Sequence, residues 1–138
     1  MSPRATGRTE PCDPQHARTR LDQARAFLDV ADLLGPEQDD LATPGVAAAL
    51  SVLAGIAASD AACCQVLGRR SRGQDHRQAA ALLRQIEPNG QAMASDLERL
   101  LAIKDDAHYE ILNVSAQRAK AALRQASHLV EAAAGHVR

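Results

Sequence analysis

The sequence predicts an all-α protein: an up-and-down four-helix bundle with one additional short helix. Apolar residues recur at three- and four-residue intervals over long segments. Helix start and stop signals bound those segments. No segment sustains the apolar–polar alternation of a half-buried strand.

Residues 1–13 are polar and rich in Pro, Gly, Thr and Arg, and are expected to be a disordered N-terminal tail. Residues 14–136 are expected to form a single helical-bundle domain. Asp13-Pro14 offers an N-cap followed by a proline at the first helical position. From there Ala17, Leu21, Ala24, Leu28, Ala31 and Leu34 form one stripe, widened by Phe27 and Val30, which stops at Gly35-Pro36. The acidic loop PEQDDLAT follows, and Thr43-Pro44 opens a second helix by the same capping logic. That helix runs to about Gly68 and is rich in small residues that let neighbouring backbones approach.

The break RRSRGQ leads into a third, short helix, HRQAAALLRQI, for which Asp75 and Gln78 resemble a capping box. Glu87-Pro88-Asn89-Gly90 is a turn signal. The fourth helix has Met93, Leu97, Leu100, Leu101 and Ile103 on its apolar side and runs into DDAHY. Either Asn113 or Ser115 caps the last helix. Its stripe is Ala119, Leu123, Ala126, Val130 and Ala133, with Ala122 and Leu129 beside it.

Composition excludes several functions. A formal net charge of −1 does not make the whole molecule an electrostatic trap for nucleic acid. Phe27 and Tyr109 are the only aromatic residues, which is too few for a platform on which successive bases stack. The three cysteines are odd in number and lack zinc-ligand spacing, so a reducing cytoplasm is the expected setting. Cys12 falls in the expected tail, and Cys63 and Cys64 are expected to be small core residues. The N-terminus lacks the apolar region of a signal peptide. Residues 46–68 are long and apolar enough to suggest a membrane span. However, Asp60 would cost at least ~2.5 kcal/mol in lipid, so this segment is expected to be the central helix of a soluble bundle.

Two stretches carry a family resemblance. In ASDAACCQVLGRRSRGQDHRQAAALLRQI, a small-residue helix is followed by a glycine, a polar break and then H-x-x-x-A-x-L-L. In LLAIKDDAHYEILNVSAQRAKAALRQASHLVEAA, a leucine pair is followed by a basic residue, A-x-Y, a turn and a serine-led amphipathic helix. In this order the two resemble the HEPN family, named for higher eukaryote and prokaryote nucleotide binding, over roughly residues 17–134. The resemblance implies a usually dimeric four-helix bundle with a short extra helix. Such proteins act as RNase toxins, as partners of nucleotidyltransferases or as non-catalytic modules near nucleotides or RNA. Catalytic members carry an arginine followed four to six residues later by a histidine. The matching place here holds Lys104, Asp105, Asp106 and His108, a K-x3-H. Lysine offers a point charge where arginine makes a two-pronged phosphate contact, and two aspartates would repel a phosphodiester. An R-x5-H does occur, from Arg70 to His76, but away from the family's catalytic position.

The candidate catalytic residues are Lys104 as a phosphate contact, His108 as a general acid or base, and Asp60 as a buried carboxylate. Asp105, Asp106 and Tyr109 complete a polar cluster whose plainer reading is a helix end. Asp60 needs a partner, expected from Arg99, Lys104 or His108 on helix four or from a dimer interface. Arg69, Arg70, Arg72, His76 and Arg77 form the densest positive patch and are the candidate phosphate or anion site. Asp105-x-x-His108 matches one limb of a di-iron motif that must occur on two helices, so no metal and no cofactor are expected.

The expected function is a non-catalytic HEPN-like binding module for nucleotide, RNA or a partner protein. The protein is expected to be cytoplasmic, without membrane association, and homodimeric through Ala-rich faces. The resemblance extends this to stress or toxin–antitoxin systems and to a nucleotidyltransferase-like partner. The alternatives are a divergent metal-independent ribonuclease using Lys104 and Arg70 with His108 or His76, and a purely structural helical subunit.

Overall fold

Among the described residues, five helices and one short two-stranded ribbon follow each other in the order β1 (Arg8–Pro11), α1 (Pro14–Leu34), α2 (Thr43–Leu67), β2 (Arg69–Arg72), α3 (Arg77–Leu83), α4 (Gly90–Tyr109) and α5 (Ala116–His136). This computed structural model describes residues 8–35, 42–72, 76–109 and 114–138, with residues 105–109 described by their backbone alone. The acidic loop after α1, Asp75 and Asn113 lie outside the described residues.

The helices begin and end largely where their caps predict. Asp13 caps α1: its carboxylate accepts from His16 N at 2.9 Å, and His16 Nδ1 accepts from Asp13 N at 3.1 Å. Gly35 closes α1 in the left-handed region at φ 72°. Helix α2 starts one residue before the predicted position, with Ala42 at the N-cap and Thr43 already helical. Ser115 caps α5 by accepting from Arg118 N. Helix α3 begins at Arg77 with His76 as its N-cap.

Helix α2 is central and packs against α1, α4 and α5. Its alanines close the core: Ala47, Ala48, Ala54, Ala57, Ala58, Ala61 and Ala62 are wholly buried within one chain. They cannot form a dimer contact as expected, because neighbouring helices already cover them. What α2 leaves outside is Val46, Leu53 and Val66. The helix has the length and composition to cross a membrane, but two-thirds of its most apolar window (67%) is buried against the rest of the chain. From α4, Met93, Leu97, Leu100 and Ile103 enter the core as predicted, while Leu101 is half-buried. From α1, Ala17, Leu21, Ala24 and Ala31 are buried, but Val30 is 48% exposed.

The turn before α4 brings Gly90 against the preceding helix: a Cβ there would meet the carbonyl oxygen of Leu83. Backbone cannot yield as a side-chain tip can. Gly90→Ala is therefore expected to cost about 1–2 kcal/mol, read as a lower urea midpoint at unchanged slope.

Two expectations are overturned at the N-terminus. The tail is a strand from Arg8 onward, and Cys12 forms a disulfide with Cys64, 52 residues away, with Cα atoms 5.2 Å apart. Cys64 is thus a cross-link and not an inert core residue, and Cys63 is the free thiol. Strands were missed because β1 and β2 have four residues each and little apolar content. Their pairing comes from the ends being tied together, not from a pattern.

Candidate functional site

Strands β1 and β2 run antiparallel, with Arg8 opposite Arg72, Thr9 opposite Ser71, Glu10 opposite Arg70 and Pro11 opposite Arg69. Opposed residues share a face of a ribbon. Two of these pairs are charged, and they differ in kind. Glu10 and Arg70 attract: Arg70 Nε donates to Glu10 Oε1 at 3.0 Å. Arg8 and Arg72 repel, are both exposed, and have no acidic partner among the described residues.

The attracting pair opens into a larger network. Asp60 lies on α2 one turn before Cys64. Arg20 of α1 donates to its Oδ2 through Nε at 3.1 Å and lies 3.0 Å away through Nη2. Arg70 Nη1 reaches the same oxygen at 3.6 Å. Two carboxylates, Glu10 and Asp60, therefore face two guanidiniums, Arg20 and Arg70, and the cluster has no net charge. Burial pushes the Asp60 carboxyl above its ordinary value, outweighing Arg20, Arg70 and His76, all of which favour the ionised form. The network joins α1, α2, β1 and β2, and the disulfide ties the junction of β1 and α1 to α2 one turn from Asp60.

Among the described side chains, Asp60 is therefore paired from α1 and β2 and not by Arg99 or Lys104 of α4. Its partners are Arg20 and Arg70, while Arg99 lies 3.8 Å from Asp96 on its own helix. Lys104 is exposed and lies seven residues beyond Leu97, which lines a hollow beside Asp60, and so about 10 Å further along α4. The side chains of Asp105, Asp106, His108 and Tyr109 lie outside the described residues.

Two hollows flank the network. One, of about 110 Å³, is lined by Ser59, Asp60, Ser71 and His76 with Ile56 and Leu97. Here the hydroxyls of Ser59 and Ser71 are buried without a hydrogen-bond partner among the described residues. The Cys63 thiol beside Ser59 is a weak partner and makes no hydrogen bond of ordinary geometry with it. Burial first, and the Asp60 carboxylate second, push that thiol up to about 12, so it holds almost no thiolate at neutral pH. The other hollow is an open groove of about 320 Å³ along the start of α1, lined in part by His16, Arg20 and Arg70.

Of the predicted anion patch, Arg69, Arg70 and Arg72 lie together on β2, and Arg77 opens α3. They are not equivalent. Arg70 is committed to two carboxylates, Arg69 has a long 3.5 Å contact to Gln85, and Arg72 projects into solvent. His76 lines the cavity beside Asp60. Sequence reasoning missed Arg8, Glu10 and Arg20. None has a spacing signature, and the odd cysteine count pointed to a reducing setting and not to a tethered N-terminal segment. No group of three or more His, Cys, Asp or Glu side chains capable of holding a metal occurs among the described residues.

No family model, no curated protein and no solved structure matches the chain.

Proposed function

We propose that the protein is a HEPN-like, non-catalytic module that binds a phosphate-bearing ligand, RNA or a nucleotide, on the β1–β2 ribbon. The Arg8–Arg72 pair carries this reading. Like charges placed directly opposite each other destabilise a strand pair. An anion bound between them would remove that cost and accept charge-assisted hydrogen bonds from both guanidiniums.

Binding is favoured over cleavage because Arg70, the arginine of the R-x5-H, is already neutralised by Glu10 and Asp60. A ribonuclease would need it aimed at a phosphate together with a histidine. The bundle is taken as up-and-down with four long helices, α3 being the additional short one, and the protein as a homodimer; the Cys12–Cys64 disulfide removes the basis on which a reducing cytoplasm was expected. Short connections and the sequence resemblance support these assignments.

The test is fluorescence anisotropy of a labelled single-stranded RNA with the oxidised protein. Arg72→Glu is expected to weaken binding by about tenfold or more and to reduce the salt dependence of log K. The RNA should remain intact in EDTA. Equal affinity of wild type and Arg72→Glu would sink the ribbon as the binding surface, and cleavage in EDTA would restore the ribonuclease.

A further inference from the structure

We infer that the binding ribbon is assembled by oxidation: the Cys12–Cys64 disulfide holds β1 against β2, and reduction by a dithiol takes Arg8 out of the patch. The inference rests on the reading of the ribbon as a phosphate-binding surface.

Little else holds β1 in place. None of residues 8–13 is buried, so the strand contributes little apolar burial. Its ties are the four-residue ladder, the Cys12 N–H bond to Gly68 O at 3.0 Å and the Glu10–Arg70 pair. A two-stranded ribbon is marginal by itself in water, and the Arg8–Arg72 repulsion weakens this one further. The disulfide sits at the end of the ribbon away from that pair, where Cys12 leaves β1 and Cys64 is buried one turn before the end of α2. It is the covalent reason that a polar segment with a repelling pair stays docked.

The chemistry is a two-electron exchange. One thiolate of the dithiol attacks Cys12 Sγ, the more accessible sulfur, and breaks the S–S bond. Cys64 leaves as a thiolate and takes up a proton. The second thiol of the reductant then attacks its own sulfur in the mixed disulfide and releases Cys12, which is protonated in turn. The products are two cysteine thiols and the oxidised cyclic dithiol. Buried, protonated Cys63 does not compete as an internal nucleophile, so the bond persists until an external reductant arrives. In a reducing cytoplasm the patch would be dispersed, and oxidising conditions would assemble it.

The experiment measures binding of the same labelled RNA to oxidised and dithiothreitol-reduced protein across a salt series, with circular dichroism to follow folding. Reduction is expected to weaken binding about tenfold and to lower the salt slope by about one, the contribution of one phosphate contact. Arg8→Gln should weaken the oxidised protein to the reduced level and leave the reduced protein unchanged. Cys12→Ser should behave as the reduced protein does without reductant; if it fails to fold, the Arg8→Gln comparison decides alone. Equal binding in both redox states would overturn the gate, as would an oxidised protein indifferent to Arg8→Gln. If Arg72→Glu still weakens binding in those cases, the phosphate-binding reading survives. If Arg72→Glu also has no effect, that reading fails as well.

Discussion

Reducing the Cys12–Cys64 bond is expected to lower stability by about 4 kcal/mol. The bond closes a loop of 52 residues, and the chain-entropy relation for a loop of that length gives about that figure. For a chain of this size the melting temperature should fall by about 12 °C. Calorimetry on oxidised and reduced protein measures it directly, with the Cys12→Ser, Cys64→Ser double substitution as the reductant-free control. A fall of less than about 3 °C would mean that the N-terminal segment is held by other contacts, and the gate proposed for the ribbon would lose its physical basis. Helices α2, α4 and α5 should remain folded in the reduced protein, because their buried side chains do not depend on β1.

Asp60→Ala is expected to cost about 3 kcal/mol, because it strips Arg20 of its carboxylate and leaves a largely buried guanidinium without a counter-charge. Asp60→Asn should cost less than half of that: it keeps the shape and an acceptor oxygen and removes the penalty of burying a carboxylate. The pH dependence is a separate check. Burial raises the Asp60 carboxyl above its ordinary value of 3.8 in spite of its two arginines. The folded chain therefore binds this proton more tightly than the unfolded chain does. The resulting stabilisation is fully present below 3.8 and is lost as pH rises through the folded value. The advantage of wild type over Asp60→Asn should accordingly grow from neutral pH towards 3.8. Asp13 acts in the opposite sense. Its carboxyl is lowered chiefly by the backbone N–H of His16, so its contribution is lost as pH falls through its folded value. The difference between wild type and Asp60→Asn isolates the Asp60 effect, since both proteins contain Asp13.

The helical part of the chain was legible because its information is local. The Asp13 cap, the glycine closing α1 and the Ser115 cap are interactions within one turn, and they stand where their residues predict. The apolar stripes of α4 and α5 are likewise properties of single helices, and they point inward as their spacing requires. Errors appeared where contacts join residues far apart in sequence. Asp60 was recognised as a buried carboxylate needing a partner, but residues 40 positions before it and 10 after it satisfy it. The alanines of α2 were recognised as a close-packing surface. Whether that surface meets another helix or another subunit depends on how the helices assemble.

By itself, the sequence determined that this chain is built of helices, where most of them begin and end, and which of their faces are apolar. Those features follow from backbone hydrogen bonding and side-chain spacing within a few residues. The candidate site was decided by the tertiary structure alone. Cys12 had to reach Cys64, Arg8 had to come opposite Arg72, and Glu10, Arg20, Arg70 and Asp60 had to meet from four elements. None of these separations leaves a periodicity to read, because each contact is set by the packing of elements and the closure of a long loop.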